Sequence, residues 1–135
     1  MKKIVVSGFA AGFILFVISY GGLFLAIKCF PALFTDYNNP LFASGGSRDI
    51  LFYMHAFVIS LALSWFWDRF KTLFKGHFII RGLEFGLVYG IIALIPVMWI
   101  TFSSLDITLA MVASWFLYGL AQACITGIVF AKMNP

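Results

Sequence analysis

The sequence predicts an all-α integral membrane protein, a bundle of four transmembrane helices within a single domain at residues 1–135. Of the 135 residues, 63% are hydrophobic and only 10% are charged. A soluble domain of this size needs more charge to cover its surface. Four apolar runs separated by polar connections are each long enough to cross a bilayer at about 1.5 Å per residue.

The predicted helices occupy residues 4–27, 50–67, 78–102 and 107–131. The first and second are joined by an outer loop, residues 28–49, that contains several prolines and glycines and is long enough to act as a lid or a docking surface, or to be inert. A basic loop, residues 68–77, follows the second helix. A tight turn then makes the third and fourth helices an antiparallel hairpin, and Pro96 is expected to kink the third.

Lysine and arginine residues are unequally divided between the two sides of the predicted bundle. If both chain ends and the basic loop lie on one side, that side holds seven basic residues and the other holds two. Basic residues accumulate on the cytoplasmic side of membrane proteins. We therefore predict a multi-pass protein of the plasma (bacterial inner) membrane with both termini in the cytoplasm. The seven are Lys2, Lys3, Arg69, Lys71, Lys75, Arg81 and Lys132, and the two are Lys28 and Arg48.

Small residues recur at four-residue spacing on every predicted helix. Such ridges allow neighbouring backbones to approach closely in lipid, so we predict tight packing without a wide aqueous pore in one chain. An aromatic stripe on the first helix then faces lipid or a partner. On the second helix, Trp67 lies on the same face as the small residues. The predicted packing residues are Gly8, Gly12, Ala56, Ser60, Ser64, Gly82, Gly86, Gly90, Gly119, Ala123 and Gly127.

Glu84 is the acidic residue that lies clearly within an apolar span, and it is the first candidate for function. A carboxylate in a membrane is costly unless it is neutral, paired or hydrated, so Glu84 is a candidate to carry a proton or bind a cation. The structural alternative is an ion pair with Arg81, which lies three residues earlier on the same helix, or extension of Glu84 to the headgroups.

His55 and a polar stripe on the fourth helix are the remaining candidates. His55 has no ionisable neighbour on its own helical face, which favours a structural role. Haem bound by two histidines of one chain is not expected, because His77 lies toward the other side. Tyr118 and Gln122, with Ser114 and Thr126, either join helices by hydrogen bonds or line a small pocket against the third helix.

Motifs for metal binding, nucleophilic catalysis and phosphate binding are absent from the sequence. The two cysteines are expected to be free thiols near opposite membrane faces. The net charge of +4 comes from loop residues and not from a stripe typical of nucleic-acid binding. We therefore predict no catalytic residue, no metal or cofactor and no nucleic-acid partner. Anionic lipid is a possible partner of Arg69, Lys71 and Lys75.

These observations favour a non-enzymatic accessory or scaffold subunit that packs against itself or a larger membrane complex. Two alternatives stay open. One is a small oligomeric transporter or channel that uses Glu84 and His55. The other is a lipid-binding membrane protein with a headgroup pocket near Tyr118 and Gln122.

Overall fold

The computed structural model describes residues 1–35 and 49–135, and the regular structure within these ranges is helical. Most of the predicted outer loop, residues 36–48, and with it Arg48, lies outside the described residues. The elements are α1 (Lys2–Cys29), α2 (Pro31–Thr35), α3 (Asp49–Phe70), α4 (Phe78–Tyr89), a π-helical segment (Gly90–Leu94), α5 (Ile95–Ser104) and α6 (Leu109–Met133).

Four helical stretches are long and apolar enough to cross a membrane, which confirms the predicted all-helical class and the four spans. Their ends lie within about one turn of the predicted ends. The short helix α2 was not predicted. It begins at Pro31, whose fixed φ and missing N–H suit the first helical position. The four spans are Lys2–Cys29, Ile50–Phe70, Phe78–Ser104 and Leu109–Met133.

The helices pack as two pairs. The helix α1 lies along α3, and α4 lies along α6, with α5 continuing on α6. The two pairs meet mainly where α1 contacts α6, and less where α3 contacts α6. We call the end of the bundle that holds residues 71–77 the basic end. The start of α1 also lies there, because the Ser64 hydroxyl donates to the Ile4 carbonyl at 2.8 Å.

The contact between α4 and α6 passes through glycines. A side chain on Gly82 would collide with the backbone of Gly127 and Ile128, and a Cβ on Gly86 would lie 2.8 Å from the Cα of Cys124. Because these positions have no side chains, the two backbones come into direct van der Waals contact. Such packing holds helices together in lipid, where burial of apolar surface gives no driving force. The contact continues with Gly90 against Leu120 and Gly119 against Leu94.

The contact between α1 and α3 uses small and hydroxylated residues. A Cβ on Gly12 would lie 2.7 Å from the Ser60 hydroxyl, and one on Gly8 would lie 3.4 Å from the Cβ of Ser64. The hydroxyls of Ser7 and Ser64 lie 2.8 Å apart and are buried. Ala56 and Ala123 are also buried. By contrast, no atom of the described residues lies within 4 Å of a Cβ built on Gly21 or Gly22.

Immediately before Pro96, where the sequence predicts a kink, the helix contains a π-helical turn. The Ile95 N–H donates to the Gly90 carbonyl, five residues earlier. Proline has no N–H to continue the ladder, and its ring would press on the carbonyl four residues before it. Widening the preceding turn relieves this clash, as π-bulges do within long helices.

Candidate functional site

A group of polar and aromatic side chains in mutual contact lies at the basic end. We call this group the Trp67 cluster. It joins α3, the connection after α3, α4 and the end of α6. Its members are Trp67, Asp68, Lys71, Phe74, Arg81, Phe85, Phe130 and Asn134.

The Trp67 ring is the centre of this cluster and is fully buried. Phe74 stacks on it with the ring planes 5° apart and the centroids 5.5 Å apart. Phe85 meets it edge-to-face at 5.4 Å, and Phe130 lies at 6.5 Å. Offset stacks and edge contacts at these distances add to the stabilisation that burial alone provides.

A hydrogen-bond network joins Trp67 to Asn134, and Asn134 to Asp68 and Lys71. The Trp67 Nε1 donates to the Asn134 carbonyl at 2.9 Å. The Asn134 side chain donates to Asp68 at 2.8 Å and accepts from the Lys71 Nζ at 2.8 Å. The Lys71 Nζ also lies 3.3 Å from the Asp68 carboxylate. Asn134 is fully buried, and it therefore ties the residue after α6 to the last turn of α3.

Arg81 contacts this cluster and not Glu84. Its guanidinium carbon lies 5.2 Å from the Trp67 ring centroid, and its Nη2 donates to the Lys71 carbonyl at 3.3 Å. Its Nε is buried and has no hydrogen-bond partner in residues 1–35 and 49–135. Attraction of the guanidinium to the indole face, away from water, competes with a pairing along the helix. The suggested Arg81–Glu84 ion pair is therefore not formed.

Glu84 lies on the outside of the bundle. It is exposed, and within the described ranges it makes no hydrogen bond or ion pair. It lines neither of the two cavities described below. Gly82 and Gly86, two residues to either side, face α6, which leaves Glu84 directed away from that contact.

His55 lines a small cavity between α1, α3 and α6, at the end opposite the basic end. The cavity measures about 30 Å³ and is bordered by Ser19, Tyr20, Tyr53 and Tyr118 as well. That volume is enough for about one water molecule and too little for a haem or a lipid headgroup. In the described part of the chain, no group of three His, Cys, Asp or Glu residues is placed to hold a metal ion.

The predicted polar stripe on α6 does not form a single pocket. The Tyr118 hydroxyl donates to the Ser19 hydroxyl at 2.6 Å and so joins α6 to α1, not to the third span. Gln122 is 3% exposed, and its Nε2 has no hydrogen-bond partner among the described residues. Thr126 donates to carbonyls of its own helix. Tyr118 therefore borders the small cavity beside His55 and not a pocket against the third span, and Gln122 lines neither of the two cavities.

A larger apolar groove runs between α3 and α4, which do not pack closely along their length. It has a volume of about 420 Å³ and is open on one side. Because Phe66 on its wall also contacts Phe85 at 5.8 Å, the groove begins beside the Trp67 cluster and extends toward the π-helical segment. Residues that line it include Ala62, Trp65, Phe66, Val88, Tyr89 and Ile92.

The three basic residues suggested for lipid binding have different surroundings. Lys71 is engaged with Asp68 and Asn134 in the Trp67 cluster. Arg69 is exposed, and its guanidinium carbon lies 5.3 Å from the centroid of the Trp65 ring on the groove wall. Lys75 is exposed in the connection between α3 and α4. Arg69 is therefore the one of the three that stands beside the groove.

No protein-family model, curated protein or solved structure matches this chain. Any role assigned to it therefore rests on the geometry of its own residues.

Sequence reasoning missed five members of the Trp67 cluster, which are Asp68, Phe74, Phe85, Phe130 and Asn134. A partial signal was present, because Trp67 lies in line with the small ridge of the second span and so faces inward. Asp68 comes directly after Trp67, but the sequence predicts it to be a solvated residue of the basic loop. Nothing in the sequence links Asn134 to α3, because that contact joins residues far apart in the chain.

Replacing Asn134 with alanine is expected to lower the free energy of unfolding by about 1–3 kcal/mol, because two partly buried side-chain hydrogen bonds to charged groups are lost. Thermal unfolding of the purified protein in one mild detergent measures the effect. Met133→Ala changes the neighbouring residue, which is 42% exposed, and should stay within about 0.5 kcal/mol of the wild type. Equal effects of the two substitutions would contradict the assigned network.

Proposed function

We propose that the chain is a non-catalytic subunit of a larger assembly in the plasma (bacterial inner) membrane, with its basic end in the cytoplasm. The distribution of basic residues supports this orientation. We also propose that the third and fourth spans form an antiparallel hairpin. The order of their contacts supports it, since Gly82 faces Ile128 and Gly90 faces Leu120.

The observation that carries the proposed function is the position of Glu84. This residue lies about 9 Å along the helix axis from Phe78, at 1.5 Å per residue, and it faces out of the bundle. A carboxylate at that depth needs a partner, and residues 1–35 and 49–135 provide none. A basic side chain on a neighbouring transmembrane helix would meet this requirement.

The arrangement gives less support to transport through a single chain. A transport pathway would place Glu84 beside an internal polar cavity. Instead, the cavity near His55 holds about one water molecule, and the larger groove is lined by apolar side chains. Glycines bring the backbones of α4 and α6 into contact, and buried side chains that include Leu63, Trp67 and Phe130 fill the core. For the same reason we propose no enzyme activity.

Replacing Glu84 with glutamine is expected to release the partner, because the amide keeps the shape of the side chain but removes its charge. Membranes extracted in polymer nanodiscs, without detergent, should yield the tagged wild type together with a second membrane component. We expect at least about tenfold less of that component with Glu84→Gln, because the loss of one member of a desolvated charge pair costs about 2–5 kcal/mol and tenfold corresponds to about 1.4 kcal/mol.

The matched control is Asp106→Asn, the same acid-to-amide change at an exposed residue between α5 and α6. It should leave the recovered complex unchanged. Full retention of the second component by Glu84→Gln would show that Glu84 reaches the headgroups and pairs with nothing. Equal losses with both variants would assign the effect to net charge, and either result would overturn the proposed role of Glu84.

A further inference from the structure

The groove between α3 and α4 combines an apolar channel with a basic residue beside its wall. Its walls carry aliphatic and aromatic side chains, and its volume is about 420 Å³. Arg69 lies over Trp65, which forms part of the wall near the basic end. We propose that the groove binds an acyl chain of an anionic phospholipid and that Arg69 binds the phosphate of the same molecule.

Arg69 has the free charge that this role needs. Within residues 1–35 and 49–135, Asp68 pairs with Lys71 and accepts from Asn134, which leaves Arg69 without a carboxylate. Arg81 is turned inward onto Trp67. The planar guanidinium of arginine forms two parallel hydrogen bonds to phosphate oxygens. The position of Trp65 also suits the membrane interface, where amphipathic aromatic side chains accumulate.

The dimensions of the groove favour an acyl chain over a helix. A transmembrane helix is about 10 Å wide and about 30 Å long, so it occupies on the order of 2,000 Å³, several times the volume available. A helix could rest on the rim of the groove but could not enter it. A flexible hydrocarbon chain can fill the space between Ala62 and Ile92, where the wall is apolar.

This inference does not rest on the proposed function, because Glu84 is not part of the groove wall. The two proposals are separated by their variants. Glu84→Gln should keep the bound lipid and lose the partner, whereas Arg69→Gln should lose the lipid and keep the partner.

The test uses the full chain reconstituted in phosphatidylcholine vesicles that contain a minor fraction of phosphatidylglycerol. After extraction in a mild detergent, native mass spectrometry counts the phosphatidylglycerol retained per chain. We expect the wild type to retain one molecule and Arg69→Gln to retain about tenfold less, the effect of losing a charged hydrogen bond. Lys75→Gln removes a nearby exposed charge and should reduce retention by about fivefold at most.

A steric pair of variants locates the acyl chain. Ala62→Phe places a ring within the groove and should abolish retention, whereas Ala121→Phe adds the same ring at an exposed residue of α6 outside both cavities and should not. Equal losses with Arg69→Gln and Lys75→Gln would show diffuse attraction to the membrane surface. Retention unaffected by Ala62→Phe, or a second copy of the chain bound in place of lipid, would overturn the proposed site.

Discussion

Replacing Gly82 with alanine is expected to disrupt the contact between α4 and α6 and to lower the free energy of unfolding by about 1–3 kcal/mol or more. The added methyl group would meet the backbone of Ile128 and Gly127, not the end of a flexible side chain. Because the backbone cannot move aside locally, the two helices must separate along their length. Gly82→Val should be more severe, since it places two further methyl groups in the same contact.

The control for this prediction is Gly22→Ala, the same substitution at a glycine where no atom of residues 1–35 and 49–135 lies within 4 Å of the new methyl group. Alanine favours a helix over glycine by up to about 1 kcal/mol, so this variant should be as stable as the wild type or slightly more stable. Thermal unfolding in one detergent compares the two variants directly. A Gly82→Ala protein as stable as Gly22→Ala would contradict the close approach of α4 and α6.

Replacing Trp67 with alanine is expected to be the most destabilising single change at the basic end, at about 3–5 kcal/mol. The substitution leaves a cavity among three aromatic rings and removes the surface that Arg81 covers. It also leaves the Asn134 carbonyl without its donor. The midpoint of thermal unfolding in detergent should fall well below that of the wild type.

The same substitution at Trp65 provides the matched control, because its side chain is 54% exposed and lies on the rim of the bundle. Trp65→Ala should cost far less stability than Trp67→Ala. Trp67→Phe keeps a ring in the stack but removes the N–H donor, and it should fall between the two, at about 1–3 kcal/mol. If Trp65→Ala proved the more damaging change, the burial assigned to Trp67 would be wrong.

The four spans were predictable because length and apolar composition are local properties of a transmembrane helix. The spacing of Gly82 and Gly86 also marks a face that two backbones can share, and these residues do lie against α6. The residue on the opposite helix was not predictable. Which turn of α6 meets Gly82 depends on the connection between the spans and on the π-helical turn before Pro96.

The prediction failed most clearly where two partners competed for one side chain. Arg81 has Glu84 one turn away on its own helix, and from the sequence this pair is one of two structural alternatives for Glu84. In the fold, Trp67 of α3 lies close to Arg81, and the Arg81 guanidinium stacks on the Trp67 ring. Tyr118 is a similar case, because its hydroxyl reaches Ser19 on α1 and not the neighbouring span. Contacts between distant parts of the chain decide both outcomes.

These two outcomes shape the proposed function. With Arg81 turned inward, the basic end is held together by residues of the chain itself, and Glu84 is left on the lipid-facing surface with no partner among the described residues. The groove with Arg69 lies on a different part of the surface. We therefore propose two separate contacts, one between Glu84 and a transmembrane partner and one between the groove and a lipid.

The mass of the native particle tests the central proposal most directly. Wild-type protein expressed at its natural level and extracted in polymer nanodiscs should give a particle heavier than one chain with its lipid, containing a second polypeptide that crosslinks beside Glu84. A particle that contains a single copy of this chain and no other polypeptide would contradict its role as a subunit.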